Sequence, residues 1–149
     1  MNDKNKINSV TMTTLGGVGE IGKNMWVLEI GDEMLIIDSG VKFPENDLLG
    51  IDLVIPDFDY VMENKDRING IVLTHGHEDH IGGLPYLLKN LDVPVYGTKL
   101  TLGLLEGKLK EHRLLKKRRL KIVHPGKEIE VGNCTVEFIR VSHSIADTC

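Results

Sequence analysis

The sequence predicts an α/β domain built from sheet layers covered by helices. The opening third reads as short apolar strands joined by tight turns. The later part alternates compact apolar strands with segments of helical spacing. At 149 residues with 41% apolar content, the chain can bury one core, and it shows no internal repeat or low-complexity segment.

"VTMTTL" is predicted as a first strand, "MWVLEI" as a second and "MLIIDSG" as a third, the last two joined by a turn at Gly31 and Asp32. Between Gly40 and Phe58, Pro44, Gly50 and Pro56 interrupt apolar pairs, which predicts a long loop folding over a site. "DYVMENKDRI" reads as a short helix and "GIVLT" as a compact strand. "LPYLLKNL" has helical spacing, and "VPVYG" is a further strand. "TKLTLGLLEGKLKEHRLL" is predicted mostly helical, with Thr98 as its cap. "RLKIVH" and "NCTVEFIRV" read as closing strands around a glycine-containing connection.

The N-terminal "MNDKNKINSV" carries no apolar targeting segment. Nowhere is there the run of about 18 apolar residues that a membrane span needs, so the chain reads as cytoplasmic. Cys134 and Cys149 are too few for a disulfide scaffold or a thiolate metal cage. Lys108 to Lys121 holds eight Lys or Arg against one Glu, in a chain of net charge −4. This basic segment could meet phosphates or could simply be a solvated helix end. "VSHSIADTC" ends directly after a predicted strand with no closing element, so the chain is read as a fragment.

"HGHEDH" concentrates three of the six histidines into one short stretch after the "GIVLT" strand. Neutral imidazole nitrogens and carboxylate oxygens from one turn can converge on a metal. The mixed N and O set suits zinc first, with manganese, iron or cobalt as other candidates. His75 and His77 flank Gly76, which lets both rings approach one ion. Asp79 and His80 point differently and suit a second ion, and Glu78 faces away. A zincin needs His-Glu-x-x-His, whose count "HEDH" does not meet.

His143, at the carboxyl end of the last predicted strand, is the expected distant partner of His75 and His77. That trio would leave a position open for water. His112 in the basic segment and His124 before Pro125 are read as non-ligands. "GVGEIG" matches G-x-G-x-x-G in letters but runs into hairpin strands instead of a helix, so no nucleotide cofactor is expected. Its glycines instead permit a tight loop near the metal mouth, whose backbone N–H groups could meet a phosphate. Asp38, before Ser39 and Gly40, is read as a turn former that supports the metal loop without ligating. Lys23, Asn24 and Lys42 have weaker claims still.

"TLGGVGEIGKNM", "LLGIDLVIPDF", "THGHEDHIGGLPYLL", "VPVYGTKLTLGLLEGKLKEH" and "VSHSIADTC" together resemble the opening portion of the ribonuclease J family. The H-x-H-x-D-H element is generic to the metallo-β-lactamase superfamily; the flanking stretches carry the narrower likeness. The resemblance implies a four-layer αββα sandwich, of which residues 1–149 would be the first portion. A β-CASP domain and a C-terminal domain would lie outside this chain.

The resemblance also implies two zinc ions, with Mn2+ the alternative: His75, His77 and His143 on one, Asp79 and His80 on the other. A bridging aspartate and a further histidine would come from beyond Cys149. Asp79 and His80 would be the catalytic residues here, Asp79 also orienting the attacking hydroxide. The implied substrate is single-stranded RNA, preferentially 5′-monophosphorylated. The implied activity is 5′-to-3′ exonuclease with endonuclease cleavage, in mRNA turnover and rRNA maturation, by a homo-oligomer. The alternatives are another hydrolase of the superfamily, such as a thioesterase, and a noncatalytic RNA-binding or interaction fragment.

Overall fold

Alternation along each strand sorts the apolar side chains onto two faces of one sheet. The computed structural model describes residues 9–44, 49–114 and 119–149. In it, β1 (Val10–Gly16), β2 (Met25–Ile30), β3 (Glu33–Ile37), β4 (Ile68–Val72), β5 (Val95–Gly97) and β6 (Leu120–Ile122) form a six-stranded sheet in sequence order. β1 to β3 pair antiparallel, as the hairpin-like opening predicts, and β3 to β6 pair parallel.

The parallel half requires crossover helices. These are α1 (Asp59–Glu63), α2 (Glu78–Ile81), α3 (Leu84–Leu87) and α4 (Lys99–Glu111). Met25, Val27, Met34, Ile36, Ile71 and Leu73 join the helices' Val61, Ile81, Leu84, Leu87, Leu105 and Leu109 in the larger core. On α4 the buried positions are Thr101, Leu102, Leu105 and Leu109, the spacing of one helical face. The intervening strand residues Leu35, Val72 and Tyr96 face the other way. There they pack with Val131 and Phe138 of a separate hairpin, β7 (Glu128–Val131) and β8 (Cys134–Glu137). Helices on one side and a hairpin on the other are consistent with a partial αββα sandwich.

The structure corrects several element boundaries. The helix predicted through Ile68 stops at Glu63, a 3-10 turn covers Lys65–Arg67, and Ile68 already opens β4. α4 ends at Glu111, and Arg113 takes a left-handed φ of 60°. Thr98 holds the N-cap position of α4, but its hydroxyl meets Thr101 Oγ1 at 3.0 Å instead of capping a helix N–H. β7 was not predicted, and "NCTVEFIRV" is strand only through Cys134–Glu137. The predicted long loop contains an antiparallel bridge between Lys42 and Val54. The polar N-terminus up to residue 8, and Leu115, Lys116, Lys117 and Arg118 of the basic segment, lie outside the described residues. Among the described residues no helix is long and apolar enough to cross a membrane.

Candidate metal centre

The centre lies where β4 gives way to Thr74 and the histidine run, at the carboxyl end of the parallel strands. Ligand sites gather at this end of open α/β sheets, because the strand ends splay and the following loops supply side chains. α2 starts at Glu78 with His77 as its N-cap. Asp79 and His80 therefore sit within a short helix, where the sequence predicts a turn at the carboxyl end of the strand.

His75, His77 and His143 converge. Each offers one nitrogen, and the three lie within 4.8 Å of one another. His75 Nε2 and His143 Nε2 each lie 3.1 Å from His77 Nδ1. Burial, followed by the charge on His80, pushes the His75 imidazole down to about 4. It is therefore neutral at pH 7 and has a lone pair to offer. Its Nδ1 lies 3.0 Å from the Thr74 hydroxyl, which itself donates to Asp38 at 2.6 Å. That arrangement puts the imidazole proton on Nδ1 and leaves Nε2 facing the other rings. Three imidazole nitrogens meeting at a partly open mouth fit a divalent metal.

His143 reaches this position from an irregular segment beyond β8. The Cys149 N–H donates to Thr74 O at 3.0 Å and the Val141 N–H to Thr148 O at 3.1 Å, closing that segment against the histidine loop. Thr98 Oγ1 donates to Asp147 O at 3.3 Å from the other side.

Asp79 and His80 are adjacent to the trio. The His75 and His80 ring centroids are 4.1 Å apart, and Asp79 Oδ2 lies 3.6 Å from His80 Nε2. The Asp79 side chain is 40% exposed, against 4% for Asp38, so only Asp79 can meet a ligand from solvent. Burial pulls the His80 imidazole down. The hydrogen bond and charge of Asp38, with the charge of Asp79, outweigh it and hold His80 above its usual value.

Asp38 does more than form a turn. Its carboxylate accepts from Thr74 N at 2.9 Å and from Thr74 Oγ1 at 2.6 Å, and lies 2.7 Å from His80 Nδ1. Its φ is 59°. Next to it, a Cβ on Gly40 would run into the Asp79 carbonyl, so this close approach of two backbones requires glycine. Ser39 N donates to His80 O at 2.8 Å, tying the end of β3 to α2.

Glu78 faces away, as expected, and pairs with Lys108 of α4. His112 packs edge-on to Tyr86, and His124 lies in a turn where its carbonyl accepts from Lys127 N, so neither joins the cluster. The glycine-rich loop does border the site, through Ile21 and Gly22 in a groove shared with Asp79. Sequence reasoning undervalued Asn24, which touches both Asp79 and His80. The sequence signal available for it was its place directly after that loop.

Residues 18–146 match the family model of the metallo-beta-lactamase superfamily, and the chain belongs to that superfamily. The curated proteins it is similar to include ribonucleases J. It is 48% identical to ribonuclease J 1 of Streptococcus pyogenes serotype M3 over 142 residues, covering 95% of this chain and 25% of that protein. It is 50% identical to ribonuclease J2 of Bacillus subtilis over 145 residues, covering 97% of this chain and 26% of that protein. The chain thus spans about a quarter of the length of these curated relatives. Among solved structures, a diphosphatase of the PhnP family superposes with a TM-score of 0.55 at 23% identity. That match covers 85% of this chain and 55% of that one, and shows a shared fold.

Proposed function

We propose that this chain is the first part of the catalytic domain of a metal-dependent ribonuclease that hydrolyses RNA phosphodiesters. The observation that carries the reading is the convergence of His75, His77 and His143, together with the ribonuclease J relatives that match nearly the whole chain. The β-CASP and C-terminal domains would lie in the remaining length of the full protein. The finer expectations also belong to that protein. They are 5′-to-3′ removal of nucleotides with endonuclease cleavage, preference for single-stranded 5′-monophosphorylated RNA, a role in mRNA turnover and rRNA maturation, and assembly as a homo-oligomer.

His75, His77 and His143 would hold one divalent ion and Asp79 with His80 a second, zinc being the first choice for the imidazole-rich set and manganese the alternative. Such ions supply a lowered water pKa and positive charge against the phosphoryl oxygens. The side chains contribute orientation. Asp38 and Thr74 set the tautomers of His80 and His75, so that each presents Nε2 to the mouth. The exposed Asp79 carboxylate would also accept a hydrogen bond from the attacking hydroxide and orient it.

In the full-length protein, His77→Ala should lower cleavage of a 5′-monophosphorylated single-stranded RNA by at least about 100-fold while RNA binding persists. Undiminished cleavage by the metal-checked variant would overturn the assignment.

A further inference from the structure

A side chain from the far end of the site joins Asp79 to His80. Asn24 follows the glycine-rich loop and opens toward α2. Its amide nitrogen lies 3.0 Å from Asp79 Oδ2, 3.1 Å from Asp79 O and 3.2 Å from His80 Nε2. Its backbone is anchored to the same place: its N–H donates to Asp79 O at 2.9 Å, and its carbonyl accepts from Gly40 N at 3.0 Å.

An amide nitrogen has two hydrogens, enough for Asp79 and for one further acceptor. In the neutral His80 ring, the form that binds a metal, that acceptor is Nε2. His80 Nδ1 lies 2.7 Å from Asp38 Oδ2, and a proton on Nδ1 donated to that buried carboxylate leaves a lone pair on Nε2. The Asn24 amide therefore spans, with a neutral donor, the two atoms that would take a second cation.

We propose that Asn24 is a positioning residue of the second ion site. Its amide holds the Asp79 carboxylate and the His80 ring in register, and a divalent cation replaces it at His80 Nε2. This deepens the two-ion reading above and rests on it. Without the amide, the exposed Asp79 side chain loses the donor that fixes it and has to be ordered at the moment of binding. The backbone bonds of residue 24 survive substitution, so the loop keeps its anchor.

The test is titration of metal-free, full-length protein with cobalt(II), followed by calorimetry and visible absorption, with no RNA present. Wild type should take up two ions. Asn24→Ala should keep first-ion affinity and the melting temperature of the metal-free protein, and weaken the second ion about 10- to 100-fold. Asn24→Leu, nearly isosteric and without a donor, should read the same and serves if the alanine variant does not fold. Unchanged or tighter second-ion binding overturns the proposal. So does equal weakening of both ions with a lowered melting temperature, which marks a purely structural role. Uptake of a single ion by wild type overturns the two-ion reading and this proposal with it, whereas two ions bound equally by wild type and variant overturn this proposal alone.

Discussion

Asp38 is a buried carboxylate that accepts from two groups of Thr74 and contacts His80, so its effect on a metal passes through other residues. Asp38→Asn keeps the size and removes the charge. It should weaken divalent metal binding about 10- to 100-fold, measurable by metal titration of the purified protein. His75 gives a pH prediction for the metal-free chain. Its folded value, depressed to about 4 from 6.5, means that the unfolded chain takes up a proton first as pH falls. Stability is therefore lost between those two values, in proportion to how far the pH lies below the unfolded one.

His80 runs the other way. Its contribution is fully present below the ordinary imidazole value and is lost as pH rises through its raised one. Comparison with His75→Asn isolates the His75 part. On going from pH 7 to pH 5, wild type should lose about 2 kcal/mol more than the variant in chemical unfolding. At this scale the sequence was legible where spacing is local: His75, His77, Asp79 and His80 share one short run. Asn24 and Asp38 were not, because their partners lie 55 and 42 positions away and only folding shows which polar side chain meets which.

Among the elements, α4 anchors the helical layer through Leu105 and Leu109, both fully buried. Leu105→Ala should cost about 2–5 kcal/mol in denaturant unfolding, the range for a buried leucine whose surroundings cannot collapse into the gap. The strands were legible because "MWVLEI" and "MLII" are near-continuous apolar runs, burying Val27 and Ile36 on one face and packing Leu28 and Leu35 on the other. β7 was not: in "EIEV" two glutamates alternate with apolar residues over four positions, and its pairing with β8 depends on the Gly132 turn, φ 61°. α2 was hidden for another reason. Four residues give too little periodicity to read, and three of them carry polar side chains that suit a loop equally well.

For the whole molecule, the two proposed ion positions are unequally furnished within this chain. The histidine trio is complete among the described residues, whereas Asp79 and His80 offer two groups. The isolated chain should therefore retain fewer than two tightly held ions after desalting, measurable by elemental analysis, and should show little nuclease activity. Two retained ions per chain would contradict that asymmetry.

The placement of His143 also fixes a sequence of events. It meets His77 across 66 positions, held there by a segment whose last residue, Cys149, hydrogen-bonds Thr74. A chain emerging from a ribosome presents His75 and His77 long before the residue that completes the trio, and closing so long a separation waits on formation of the sheet. Tight metal uptake should then be a late event in biogenesis. It would report that the fold has closed, without templating it.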